Sequence, residues 1–309
     1  MQTILGAGGV IGTELARILP EFTDRVRLVG RNPKAVEAEN EVFPADLLDG
    51  DAVRRAVGKS EVVYLVAGLP YKARVWAEQW PKIMQNVIGA CSRAESRLVF
   101  FDNVYMYDRD FMQAMDENTP VRPCSRKGEV RARIADMLMQ AIGTGEVAGL
   151  IARSADFYGP GRQQSSMLTQ LVCERLAAGK RAQWLLSADY RHSFTHTSDA
   201  ARGTAMLGNS EAAYGETWHL PTAPAPPTGN EWVAAVAARM NQSADVRIVS
   251  KSMLALAGLV VPLLRELKEM AYQYDRDYVF LSDKFEQRFD FRPTPYEQAT
   301  RAMVEADYL

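Results

Sequence analysis

The run Gly6-Ala-Gly-Gly-Val-Ile-Gly12 combines residue types and a spacing suited to holding phosphate. Gly6 permits a tight turn. Gly9 lets the backbone approach a pyrophosphate, and Gly12 lets the following helix pack closely on the preceding strand. A short apolar run, Ile4 and Leu5, enters the turn, while Val10, Ile11, Leu15, Ile18 and Leu19 leave it at helical spacing. The order strand, glycine loop, helix is a cradle for a dinucleotide. The helix start at Val10 and Ile11 offers N–H groups and the positive end of its dipole to the phosphates.

The ribose chemistry is read from Leu28-Val-Gly-Arg-Asn-Pro-Lys34, at the end of a second apolar run. A site for NAD usually offers Asp or Glu there, to bind both ribose hydroxyls. Arg31 stands in that place, with Asn32 beside it and Lys34 nearby. A carboxylate would repel a 2′-phosphate, whereas a guanidinium binds one through paired N–H donors. The expected cofactor is therefore NADP rather than NAD, with Asn32 adding a hydrogen bond. The alternative is that Arg31 is a solvated loop charge.

Alternating elements must position these residues. Val26–Val29 reads as the second strand and Val42–Phe43 as a short third. Val62–Val66 is a fourth, ending at Ala67-Gly68, and Arg97–Phe101 and Val147–Ala152 are the fifth and sixth. Helical patterns cover Asp51–Val57, Val75–Ala94 and Val130–Ile142. Trp76, Trp80, Ile83, Met84, Val87 and Ile88 share one face of the long helix, which Pro81 is expected to kink or delay. This alternation predicts an α/β fold, a Rossmann-type doubly wound parallel sheet with a smaller C-terminal substrate-binding region. Residues 1–160 are expected to form the dinucleotide domain, with a returning strand from 190–220, and 161–309 mostly to bind substrate. In the second half, Met167–Ala178 and Asn230–Met240 read as helices, the latter capped by Thr228 or Asn230. Met253–Leu264 is broken by Pro262 into two short helices and is too short to span a bilayer.

With 309 residues, a net charge of −2 and 47% hydrophobic residues, the chain has room for two regions and no basic excess for nucleic acid or membrane. Cys91, Cys124 and Cys173 form no paired framework, which suits a reducing compartment. With no leader-like segment ahead of the first strand, the expected location is cytoplasmic. His192, His196 and His219 are dispersed, so no metal is expected, and His196 reads as a packed, hydrogen-bonded residue.

Several segments resemble the extended short-chain dehydrogenases/reductases of the NAD-dependent epimerase/dehydratase family. Besides the glycine loop, these are Arg153-Ser-Ala-Asp-Phe-Tyr-Gly-Pro-Gly161, Arg191-His-Ser-Phe-Thr-His-Thr-Ser-Asp199, Trp218-His-Leu-Pro221 and Phe289-Asp-Phe-Arg-Pro-Thr294. The resemblance implies that Asp46 and Leu47 face the adenine. A helix-capping Asp46 is the alternative. The family's chemistry uses a Tyr-x-x-x-Lys pair and a Ser or Thr. This chain departs from that pattern. Counting back from Arg153 puts Lys127 at the tyrosine place and Arg131 at the lysine place. A register shifted by four gives Pro123 and Lys127 instead. Asn103 stands at the hydroxyl place, in Phe101-Asp-Asn-Val-Tyr-Met-Tyr-Asp108. Arg131 remains able to hold ribose hydroxyls, and Lys127 acts as an acid only if it is buried or crowded by cations; otherwise it is a solvated helix-start lysine. Tyr105, Tyr107 and Tyr158 are other donors.

Segments beyond the strand ends line the crevice in such folds. Ala67 and Gly68 therefore fall beside the cofactor, and Tyr71, Lys72, Trp76 and Trp80 beside a small-molecule substrate. The alternative for Trp76 and Trp80 is a core stripe. By resemblance, Arg162, Gln163 and Arg191 join the substrate side, Arg191 where sugar-nucleotide members contact phosphate. The implied activity is hydride transfer at a carbinol or carbonyl carbon. The competing reading is an NADP-binding regulatory or scaffold protein without turnover. A homodimer and a monomer both remain open.

Overall fold

The computed structural model describes residues 1–161, 166–258 and 262–309. The chain divides into two compact units. The first comprises Met1–Met106, Lys127–Ser154 and Ala200–Leu220, and the second Tyr107–Arg126, Ala155–Asp199 and Pro221–Leu309.

The first unit is built on a seven-stranded parallel sheet. Its strands are β1 (Gln2–Leu5), β2 (Val26–Gly30), β3 (Glu41–Pro44), β4 (Val62–Leu65), β5 (Arg97–Asp102), β6 (Gly149–Arg153) and a last strand, Thr217–His219. From that last strand the order runs β6, β5, β4, β1, β2, β3. Every neighbouring pair is parallel. Chain order therefore reverses between β1 and β4, and sheets of this kind hold ligands outside the carboxyl ends at such a point. This is the doubly wound α/β fold expected from the sequence. β1 and β4 are buried along their whole length, as strands covered on both faces must be. Their polar side chains satisfy one another. The Tyr64 hydroxyl donates to Gln2 Oε1 at 2.8 Å, Gln2 Nε2 to Asn209 Oδ1 at 2.6 Å, and Asn209 Nδ2 to the Tyr64 oxygen at 3.2 Å.

Four helices flank the site in this unit: α1 (Val10–Ile18), α2 (Gly50–Val57), α3 (Ala73–Ala94) and α4 (Arg126–Gly143). α3 starts two residues earlier than the periodicity suggests and runs through Pro81 without delay. An interior proline costs about 3 kcal/mol. Burial of Trp76, Trp80, Ile83, Met84 and Val87 outweighs it, at roughly 1.5–3 kcal/mol for each large side chain. α4 starts four residues before the expected Val130, because its first turn buries Lys127 and Gly128 rather than apolar side chains.

The second unit contains two short parallel pairs, Asp156–Tyr158 with Phe194–His196 and Ala182–Leu185 with Val246–Val249. Its core is aromatic, with Tyr158, Trp184, Phe194 and Trp232 packed together. The stretch expected to be one helix from Met167 holds a π-helical turn, Thr169–Cys173, before Glu174–Ala177. Helices Lys251–Ala257 and Pro262–Met270 flank the expected break. The helix Gly229–Arg239 is capped by Thr228. Its hydroxyl accepts from the Glu231 N–H at 3.3 Å, while Glu231 Oε2 accepts from the Thr228 N–H at 2.8 Å. The Thr228 N–H first, and then its hydroxyl, both donating to Glu231 Oε2, hold the Glu231 carboxyl below the usual carboxylate range. Thr228→Ala is expected to lower stability by about 1 kcal/mol. In urea denaturation this reads as a lower midpoint at unchanged slope.

Candidate functional site

The glycine loop occupies the switch point of the sheet. Gly6 leaves β1 with φ of +96°, and a Cβ there would lie 2.3 Å from the Ala67 Cα. No other residue type holds this turn. A Cβ on Gly12 would come within 2.8 Å of the Ala7 Cα, so α1 packs against the loop only because Gly12 lacks one. The outer positions are open. Nothing lies within 4 Å of a Cβ on Gly8, and on Gly9 the nearest atom is the Gly6 oxygen at 3.8 Å. Gly9 is the N-cap of α1, and no side chain caps that end. The helix start therefore offers its amides to an anion.

The loop opens on a cleft of about 740 Å³. Of the sequence-predicted residues, Gly6, Gly9, Arg31, Asn32, Asp46, Leu47, Ala67 and Gly68 line it. Val10, Ile11 and Gly12 form the first turn of α1 behind the loop, Ile11 and Gly12 being buried. Gln79 and Ile83 of α3 also line the cleft. The sequence leaves them unassigned, since helical periodicity places a residue on a face without saying which strand end that face meets. Among the described lining residues the charged ones are Arg31 and Asp46. Arg31 is exposed at the end of β2. The Asp46 carboxylate accepts from the Leu48 N–H at 3.0 Å, within its own loop. The cap of α2 is Asp49, which accepts from the Asp51 and Ala52 amides, so Asp46 is not the helix cap. Asn86 of α3 donates to the Leu47 carbonyl at 2.9 Å and pins this loop.

The carboxyl end of β5 holds a buried ion cluster. Asp102 Oδ1 accepts from Arg131 Nε at 2.6 Å and from Arg131 Nη2, and Oδ2 accepts from Arg153 Nε at 3.3 Å. Arg131 Nη2 also donates to the Phe101 carbonyl at 3.2 Å. Its guanidinium carbon lies 4.8 Å from the Trp80 ring centre and 4.9 Å from that of Phe100. This is where the structure places Arg131, which the sequence reads as able to hold ribose hydroxyls. A buried guanidinium must be paired, and the Nε and Nη2 donors of Arg131 answer Asp102 and Phe101.

Asn103 follows directly. Its Oδ1 accepts from the Tyr105 N–H at 3.1 Å, which leaves its amide NH₂ as the end suited to a substrate oxygen. Lys127 has no exposed surface, which overturns the solvated helix-start alternative, and its Nζ lies 4.6 Å from the Tyr71 ring centre. Trp76 is 7 % exposed and packs edge-on against Trp80 in the core stripe. Its indole N–H is held by the Pro70 carbonyl at 3.1 Å. Tyr71 is half-buried and Lys72 is exposed at the N-cap of α3.

The remaining predicted residues belong to the second unit. Tyr107 is buried and its backbone bridges to Val121. Tyr158 is fully buried, and its hydroxyl has no partner among the described residues. Burial first, then Tyr296 and Asp199, push that phenol well above its usual range, so it keeps its proton. Arg191 is exposed, with its backbone N–H on Asp277 at 2.8 Å. Arg162 and Gln163 lie outside the described residues. His196 is packed against Tyr158, yet neither ring nitrogen has a hydrogen-bond partner among the described residues, contrary to expectation. The Cys91, Cys124 and Cys173 thiols are free. No described helix is long and apolar enough to cross a membrane.

The model of the NAD dependent epimerase/dehydratase family matches residues 3–220, and the chain belongs to that family. No curated protein matches it in sequence. Among solved structures it is similar to a UDP-glucose 4-epimerase from Thermus thermophilus in complex with NAD. The identity is 18% and the TM-score 0.79, over 99% of this chain and 98% of the other. A dTDP-glucose 4,6-dehydratase double mutant from Streptomyces venezuelae with NAD bound gives 17% and 0.80, over 99% and 96%. A UDP-glucuronic acid 4-epimerase from Bacillus cereus in complex with NAD gives 15% and 0.78, over 100% and 96%.

Proposed function

We propose that this protein is an oxidoreductase that binds NADP in preference to NAD and transfers hydride at a carbinol or carbonyl carbon of a small molecule. The observation that carries the cofactor reading is Arg31, which directly follows β2 and lines a cleft entered through a turn only glycine permits. The open backbone at Gly8 and Gly9 and the uncapped α1 suit a pyrophosphate, Arg31 and Asn32 a 2′-phosphate, and Asp46 and Leu47 an adenine. When bound, the dinucleotide supplies or accepts the hydride. Asn103 donates its amide to the substrate oxygen, and buried Lys127 stabilises negative charge developing there. Lys72 suits an anionic substrate, and the solved structures above, named for UDP and dTDP sugars, make a nucleotide-sugar the first class to screen. Those structures hold NAD. For this chain the cation at Arg31 and the lack of a carboxylate there favour NADP. The free thiols fit a reducing, cytoplasmic setting.

Arg31→Ala is expected to weaken NADPH binding roughly 10- to 100-fold, the worth of a charge-assisted contact, and to leave NADH nearly unchanged. Parallel fluorescence titrations check this. Equal losses for the two nucleotides would contradict the assignment. One observation favours a second reading, a dinucleotide-binding regulatory or scaffold protein. Arg131, at the family's lysine place, is bound to Asp102. That reading expects nucleotide binding with no turnover on any alcohol or carbonyl tested.

A further inference from the structure

Gln79, Ile83 and Asn86 stand at i, i+4 and i+7 of α3, on one face of the helix. Asn86 donates to the Leu47 carbonyl at 2.9 Å, which fastens this face to the loop after β3. Ile83 is buried with Ala45 and Leu47 in one apolar cluster, and Leu48 packs against it. The same four residues line the dinucleotide cleft and give it an apolar wall. Gln79, one turn before Ile83, lines the cleft too and is half-buried. The polar side chains among the described lining residues are those of Arg31, Asn32, Asp46 and Gln79. Arg31 and Asn32 follow β2 and suit a 2′-phosphate, and Asp46 accepts from the Leu48 N–H at 3.0 Å. The Gln79 amide has no hydrogen-bond partner among the described residues.

We infer that Gln79 reads the base of the dinucleotide as adenine, its Oε1 accepting an N6 hydrogen and its Nε2 donating to N7. This rests on the dinucleotide reading above, and neither on the choice of NADP over NAD nor on turnover. The base hangs from the ribose that carries the 2′-phosphate. A phosphate held at Arg31 therefore brings the base to the neighbouring part of the cleft. β3 pairs with β2 there and runs directly into the Ala45–Leu48 loop. A purine is apolar on its faces and polar along its edges. The wall of Ala45, Leu47 and Ile83 suits a face, and an edge needs partners in the right order of donor and acceptor. The Asp46 carboxylate and the Leu47 N–H match N6 and N1. The second N6 hydrogen and N7 are then left to be met. Donor and acceptor stand side by side on that edge, and a primary amide offers acceptor and donor at the matching spacing. A lysine offers only donors and a carboxylate only acceptors, so neither meets both atoms.

The test needs no substrate. Deamino-NADPH carries hypoxanthine in place of adenine, so the C6 amine becomes a carbonyl and N1 gains a hydrogen. Its O6 and N7 are both acceptors, and the Gln79 amide can answer only one of them. The dissociation constants of NADPH and deamino-NADPH are measured by tryptophan fluorescence in the whole protein. They are measured again in Gln79→Leu, in Gln79→Lys and in Gln85→Leu, a control on the exposed side of α3. The wild type is expected to prefer NADPH by about 10-fold. Gln79→Leu weakens NADPH by roughly 10-fold and deamino-NADPH less, so the preference falls at least about threefold. Gln79→Lys, with donors only, moves it further toward deamino-NADPH. Its added charge acts on the phosphates of both nucleotides alike and cancels in the ratio. The control keeps the wild-type ratio. Leucine and lysine are both good helix formers, and circular dichroism checks that each variant folds. A wild-type ratio in both Gln79 variants overturns the assignment while nucleotide binding itself stands. If NADH binds and NADPH does not, the same ratio is read with NADH and deamino-NADH, because the base is common to both. Binding of neither nucleotide overturns the dinucleotide reading, and the role of Gln79 with it.

Discussion

Asp102→Ala is expected to destabilise the protein by about 3–5 kcal/mol, the largest loss of any single substitution considered. The Asp102 side chain has no exposed surface and accepts from two guanidinium groups that are themselves 5 % and 6 % exposed. Removing the carboxylate leaves Arg131 and Arg153 buried with no counter-charge, and the desolvation of each is then uncompensated. It also frees the Asn103 N–H, which Asp102 Oδ1 accepts at 2.8 Å, and so loosens the loop that carries Asn103 and Tyr105. Asp102→Asn keeps the shape and one acceptor and is expected to cost less, but still more than an ordinary surface change. Thermal or urea denaturation of the two variants checks the order. A loss below about 1 kcal/mol for Asp102→Ala would show that water reaches the cluster and replaces the carboxylate.

Gly6→Ala is expected to carry the largest loss of ligand affinity. A Cβ would lie 2.3 Å from the Ala67 Cα and 2.6 Å from its nitrogen, both backbone atoms that no rotamer change can move aside. The φ of +96° adds conformational strain of about 1–3 kcal/mol for any residue with a side chain. The loop must therefore move away from β4, taking the Gly8–Gly9 backbone with it. Losing even two hydrogen bonds to a charged phosphate, at about 1.5–3 kcal/mol each, corresponds to a roughly 100-fold or greater weakening of nucleotide binding. Gly8→Ala, with nothing within 4 Å of its Cβ, is the matched control for folding. Equal nucleotide affinity in Gly6→Ala and the wild type would mean that the loop does not hold the phosphates.

What is legible in the sequence is what depends on local sterics and short-range periodicity. The Gly6–Gly12 loop, the parallel order of strands and the Thr228 cap each follow from residue types a few positions apart. The Trp76–Trp80 stripe is visible as a helical face, although both tryptophans also read as substrate-facing. The cluster around Asp102 is not visible. Its partners lie 29 and 51 residues away, and buried charges break the apolar pattern that marks a helix start, so the periodicity begins α4 too late. The same blindness hides the packing of the Lys127 ammonium against the Tyr71 ring, which joins two separate segments. Lys127 and Arg131 stand four apart on one helix. Only the fold distinguishes the cation packed against the Tyr71 ring from the one bonded to a carboxylate.

The most direct test of the central claim is titration of the purified protein with NADPH and with NADH, read through fluorescence of its five tryptophans. The cradle and Arg31 together predict saturable binding of NADPH and clearly weaker binding of NADH. Binding of neither nucleotide would contradict the dinucleotide reading of the glycine loop and leave the family relationship as one of fold.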